Sequence, residues 1–161
     1  MERIFIKYQL DRSIWTEKDF DNMNWHDNSI HAISFDNNFH LYLDIDYIFE
    51  WVLRSKKYMF WISPCTLIFD NVYDLKIDIG PSTPEFEVDF ITRSNPQRPK
   101  NAEYINRDVE FDWLIEMQQG TISFKAVGYR QYVRQVPKFV GKQKIDLKKR
   151  GGVSFDIEGI S

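Results

Sequence analysis

The chain has 161 residues, 21 Lys and Arg against 24 Asp and Glu, a formal net charge of -3, 13 Phe, 8 Tyr and 5 Trp, and one cysteine. That length fits one domain over 1–161 with a real core, and a single cysteine excludes an internal disulfide framework. No stretch approaches the roughly 18 apolar residues of a membrane span. The start, Met1-Glu2-Arg3-Ile4-Phe5-Ile6-Lys7, has no apolar run of signal-peptide length, which points to a cytoplasmic protein.

Taken in order, Ile4, Ile6 and Tyr8 predict a first strand. Thr16 with Asp19 three residues on has the form of a capping box, so a short helix is expected from about Glu17 to Met23. From Ser29 the period becomes two. His31, Ile33 and Phe35 share one face, and Phe39, Leu41, Leu43, Ile45, Tyr47, Phe49 and Trp51 then fall on one parity, so that an odd loop lets the two apolar faces coincide. A three-residue turn would make these a hairpin with His31 opposite Leu43 and Ile33 opposite Leu41. The alternate parity of the second strand, His40, Tyr42, Asp44, Asp46 and Glu50, is expected to face solvent or a groove.

Tyr58 to Ile62 is apolar without alternation, as a strand covered on both faces would be, and Ser63-Pro64 predicts a break or bulge. Leu75, Ile77 and Ile79 and then Phe86, Val88 and Phe90 alternate on either side of the turn Gly80-Pro81-Ser82-Thr83-Pro84. Ser94 to Asn101 predicts the longest exposed loop. Phe111, Trp113, Ile115 and Met117 lead into Gln119-Gly120, and Ile122, Phe124 and Ala126 leave it, a hairpin expected to pair Met117 with Ile122 and Trp113 with Ala126. Strand character runs from Tyr129 to Val136 and stops at Pro137; a basic segment follows, and Ile145, Leu147, Val153, Phe155 and Ile157 suggest a final strand. The predicted fold is mainly β, an antiparallel curled sheet, barrel-like or two-layered, with one short N-terminal helix and with a closed or half-closed barrel preferred.

Chemistry-bearing residues are few. His26, Asp27 and His31 carry ligand types suited to zinc, iron or manganese, but their spacing matches no metal motif, and the hairpin register puts Asp44, Asp46 and His40 on the face opposite His31. The structural alternative makes Trp25 a core plug and His31 a satisfied core histidine. Cys65 reads as a small buried hydrophobe. No nucleophile elbow and no Gly-rich phosphate loop occurs, so no catalytic residue and no cofactor is assigned. Residues 1–124 carry 12 basic against 21 acidic side chains, whereas 125–150 carry nine against one. The segment 130–150, with Arg130, Tyr132 and Arg134 interleaved, could stack bases and neutralise phosphates, although the acidic body would repel a polyanion.

The run Trp25-His26-Asp27-Asn28-Ser29-Ile30 resembles the Phe-His-Asp-Ala-type signature of certain small bacterial immunity proteins of polymorphic toxin systems, with Trp25 as the aromatic and Asn28 in place of the small residue. The closing Arg150-Gly151-Gly152-Val153-Ser154-Phe155 looks more like an uncharacterised bacterial family. The first resemblance implies a non-enzymatic cytosolic protein that neutralises a toxin, and an acidic surface would suit a basic partner. The leading reading is a protein-binding module, with Tyr42, Asp44, Asp46 and Glu50 as its candidate binding face. A metal-dependent enzyme or metal-binding protein using His26, Asp27 and His31 is the alternative, and nucleic-acid binding through 130–150 the second.

Overall fold

The computed structural model describes residues 7–80, 82, 84–158 and 160. Two antiparallel sheets face each other. The first holds β1 (Ile14–Thr16), β2 (Ser29–Phe35), β3 (Leu41–Arg54), β4 (Lys57–Asp70), β9 (Gly128–Val133) and β10 (Lys138–Val140), in the order β1-β9-β4-β3-β2 with β10 continuing the β9 side of β4. The second holds β5 (Tyr73–Ile79), β6 (Val88–Gln97), β7 (Glu110–Met117) and β8 (Gly120–Ala126), in the order β5-β8-β7-β6. Neither closes on itself. The two-layer form of the expectation therefore holds and the preferred closed barrel does not, because Asn71, in the left-handed conformation, takes the chain out of β4 and into β5 of the other layer.

The core lies between the layers. Leu41, Leu43, Ile45, Leu67, Phe69 and Tyr129 from one sheet meet Trp113, Ile115, Ile122 and Phe124 from the other. Phe69 sits edge-on to Trp113 and Phe124, with centroids 5.1 and 4.7 Å away, and aromatic rings favour that arrangement because ring edge and ring face carry opposite partial charge. Cys65 is fully buried here, and burial pushes its thiol well above the usual range.

Both hairpins keep the expected parity and slip by two residues. Phe35 pairs with Leu41 and Ile33 with Leu43, because Asp36 makes a longer turn by accepting the Asn38 and His40 amides, each at 2.9 Å. In the other hairpin Met117 pairs with Gly120, Ile115 with Ile122 and Trp113 with Phe124. Its turn is Gln118-Gln119, and Gly120 has φ 147 with no room for a Cβ against the Asp78 carbonyl. A slip of two leaves every side chain on its own face, which is why the hydrophobic pattern cannot detect it.

The Thr16–Asp19 capping box is present, on a 3-10 helix over Glu17–Asn22 that lays Phe20 against Trp25 and Trp113. Ile4 and Ile6 of the expected first strand, and Pro81 and Thr83 of the proline turn, lie outside the described residues, and Tyr8 belongs to no strand. Ser63-Pro64 does not break β4. It lies where the flanking strand changes from β9 to β10, so the missing proline N–H falls in a gap that Ser63 Oγ fills by donating to the Gln135 carbonyl at 2.6 Å. The predicted loop from Ser94 is strand as far as Gln97, followed by a single helical turn α1 (Ala102–Ile105).

The C-terminal part departs furthest from expectation. After Pro137 the chain forms β10, where the Phe139 ring meets Trp61 at a tilt with centroids 4.9 Å apart, and residues 145–150 end in a helical turn α2 (Leu147–Arg150) instead of a last strand. This segment covers the outer face of the first sheet, where Ile145 packs with Ile48, Phe60 and Ile62.

Candidate functional site

Asp44 and Asp46 project from β3 to the outer face, as their parity requires, yet both are 0 % exposed. The expectation of a solvent-facing acidic pair is corrected: the C-terminal segment lies over them and brings its own cations. Arg150 grips Asp44 with two nitrogens, Nη1 to Oδ2 at 2.8 Å and Nη2 to Oδ1 at 2.6 Å, while its Nε donates to Asp46 Oδ1 at 3.0 Å. Arg134 adds Nη2 to Asp44 Oδ1 at 2.7 Å, and the Ser154 amide donates to Asp44 Oδ2 at 3.0 Å. Asp46 Oδ2 accepts the Ile145 amide at 2.8 Å and lies 2.7 Å from His31 Nε2. Gly151 and Gly152, at φ 85 and 86, turn the chain sharply enough for Arg150 and Ser154 to reach the same carboxylate.

His31 reaches Asp46 through a bulge. The pairing shifts between Ile30 and Ala32, so His31 leaves the apolar face that strict alternation assigns it and turns to the acidic one. All four oxygens of the two aspartates are thus occupied, and the cluster offers neither a free base nor an open ligand position; it fastens the C-terminal segment to the sheet. Burial raises the Asp44 carboxyl, but the hydrogen bonds from Arg150, Arg134 and Ser154 outweigh it and hold the group below its usual range. A depressed folded-state pKa stabilises the fold fully above the unfolded carboxylate value of about 4 and loses that stabilisation as pH falls through the folded value. The urea midpoint should therefore be level from neutral pH to about pH 5 and fall steadily below about pH 4, more steeply in the native chain than in Asp44→Asn. A midpoint unchanged down to pH 3, or falling equally in the variant, would count against the assignment.

His26 and Asp27 lie elsewhere, at the corner before β2. Asp27 has φ 63 and donates its amide to the Val88 carbonyl at 2.8 Å, tying the corner to the second sheet. The His26 ring, with Nδ1 on the Asp89 carbonyl at 3.2 Å, stacks between two exposed aromatics, Phe90 at 6.0 Å and Trp51 at 6.4 Å. Tyr58 meets Trp51 edge-on at 5.8 Å. Phe90, Trp51 and Tyr58 are 58, 41 and 53 % exposed and Leu53 beside them 61 %, so one aromatic row runs from β6 across the corner to the free end of the β3–β4 hairpin. Carboxylates gather at its β6 end. Partial burial, then the charges of Asp27, Glu85 and Asp89, raise the Glu87 carboxyl above its usual range, with Lys144 opposing them.

The metal candidates therefore divide. His31 is locked to Asp46, while His26 and Asp27 face one another at 3.6 Å on the surface, and among the described residues no three of His, Cys, Asp and Glu assemble as a ligand group. Of the nucleic-acid candidates, Arg130 forks onto Asp70 at 2.7 and 3.1 Å and donates to Tyr132 Oη at 3.0 Å, and Arg134 is buried on Asp44 and Thr66. All three are engaged within the protein, Tyr132 and Arg134 buried and Arg130 in a part-exposed ion pair. Tyr42 is half-covered, donating to Asp36 and meeting Phe155, and Glu50 is exposed next to Trp51.

No family model, no curated protein and no solved structure matches the chain. The site is read from its own chemistry. Sequence reasoning missed Arg150, since a cation in a basic run shows no sign of burial, and missed the surface role of Trp51 and Phe90, which alternation assigns to the core. The one available signal was Tyr58 to Ile62: a strand apolar on both faces requires a cover on the outer side, and that cover also encloses Asp44 and Asp46.

Proposed function

We propose that this chain is a non-enzymatic protein-binding module that meets a basic protein through the row Phe90, His26, Trp51 and Tyr58 and the carboxylates beside it. A toxin neutralised by a cognate immunity protein is the most specific form of such a partnership, as the resemblance of Trp25-His26-Asp27 implies. The observation that carries the reading is the exposed aromatic row: large rings with few rotatable bonds lying in water are the usual anchors of protein interfaces. The carboxylates around Glu87 give the partner its sign. Like charges held close repel one another, and a cationic surface docking over them relieves that repulsion and speeds encounter.

Gentle affinity purification from the native host should recover one stoichiometric basic protein. Trp51→Ala with Phe90→Ala should weaken the purified complex by about thirtyfold or more. Glu87→Lys should act chiefly by slowing association, and more so at low salt. Recovery of the chain alone, or a complex indifferent to both substitutions, would sink the proposal.

A further inference from the structure

A second feature lies on the outer face of the second sheet, at the end away from Phe90. One residue from each strand, Tyr73 of β5, Lys125 of β8, Glu110 of β7 and Gln97 of β6, forms the floor of a cavity of about 250 Å³. The register puts them in a row on the outer face, Tyr73 opposite Lys125, Lys125 opposite Asp112, and Glu110 opposite Gln97. A bulge between Tyr73 and Lys76 carries Asp74, at φ 53, into the lining, and Arg98, Lys100 and Asn101 form the rim. The rim is braced: Asn101 exchanges amide hydrogen bonds with Asn71 at 3.1 and 2.9 Å and donates to Tyr73 Oη at 3.0 Å.

The most deeply buried charge in this cavity is a carboxylate. Glu110 is 5 % exposed, and the one hydrogen bond of its carboxylate among the described residues is from the neutral Gln97 side-chain amide at 3.3 Å. Lys125, the cation on the floor, makes its ion pair with Asp112 at 2.6 Å, and its charge also acts on Glu110 and Asp74 without bonding either. A carboxylate taken out of water without an ion-pair partner is costly, and an arriving cation would offset that cost. At the rim the sign reverses. Lys100 and Arg98 are exposed, and Arg98 spends one nitrogen on the exposed Asp108 at 3.1 Å, leaving further donors for a ligand. The volume is below that of drug-sized pockets, so the ligand is small.

We propose that this cavity binds a small zwitterion, an α-amino acid being the simplest, with its ammonium at Glu110 and Asp74 and its carboxylate at Lys100 and Arg98. The open mouth leaves the ligand's side chain directed outwards. This site is independent of the aromatic row and stands or falls without it.

Calorimetric titration of the full chain with glycine, alanine, lysine and glutamate, and with methylammonium and acetate as half-ligands, tests it. At least one amino acid should bind one to one and more tightly than either half-ligand. Glu110→Gln should weaken binding by about thirtyfold or more, since it removes a buried charged partner, and Lys100→Met by about tenfold. Glu110→Gln should melt no lower than the native chain, because it removes a buried charge whose nearby cation, Lys125, is bonded to Asp112; Lys100→Met alters only an exposed side chain and keeps the test valid if the first variant misfolds. No heat from any amino acid at millimolar concentration, acetate binding as tightly as the amino acids, or affinity unchanged in both variants would overturn the proposal.

Discussion

Arg150→Met is expected to lower stability by about 3–5 kcal/mol, because it leaves Asp44 and Asp46 buried with one cation removed. Arg134 remains within 2.7 Å of Asp44, but Asp46 keeps only His31 and the Ile145 amide. For a chain of this length that loss corresponds to a melting temperature lower by roughly 10 °C. The C-terminal segment should be the first part to loosen, so limited proteolysis should cut within 141–158 while the two sheets stay intact. The quadruple variant Arg134→Met, Arg150→Met, Asp44→Leu, Asp46→Leu is the control, because Arg134 is also buried on Asp44 and would otherwise be left without its carboxylate. An apolar replacement of the whole cluster should recover much of the lost stability, since the penalty comes from unpaired buried charge and not from the missing attraction. Equal stability of Arg150→Met and the native chain in urea would show that the cluster does not hold the segment down.

Trp25→Ala is expected to cost about 3–5 kcal/mol, the range for emptying a buried aromatic site. Trp25 is 3 % exposed and packs against Phe20, Tyr47 and Tyr129, with centroids 5.5–6.3 Å apart. Its Nε1 donates to Gln131 Oε1 at 2.9 Å, and Gln131 Nε2 already lacks a partner among the described residues, so the substitution leaves a buried amide with nothing on either end. Trp25→Phe separates the two contributions: it keeps most of the packing and should cost about 1–3 kcal/mol for the stranded carbonyl. Guanidinium unfolding of both variants measures the difference. A loss below about 1 kcal/mol for Trp25→Ala would mean that the corner before β2 is not part of the core.

The Trp25-to-Phe35 stretch illustrates how far the residues speak for themselves. Trp25 as a core plug follows from its type, and the alternation from Ser29 fixes β2 and the face that Ile33 shows to the core. His31 does not follow, because a single bulge reverses its side, and a bulge leaves no trace in a pattern of apolar and polar positions. Asp44 and Asp46 fail for a related reason. A polar residue on alternate positions reads as solvent-facing unless its counter-ion is visible, and here the counter-ion lies more than a hundred positions away.

What the sequence determined by itself is the strand class, the two hairpins to within a two-residue slip, the capped helical turn and the apolar face of each sheet. Those depend on neighbours close in the chain, through side-chain alternation and turn chemistry. Tertiary structure alone decided that the β3–β4 outer face is covered, that Arg150 is buried there, that His26 and His31 go separate ways, and that Phe90, His26 and Trp51 form one surface row. Each of those depends on which distant segments come to lie together, and a buried ion pair requires two charges whose separation along the chain carries no information about their separation in space.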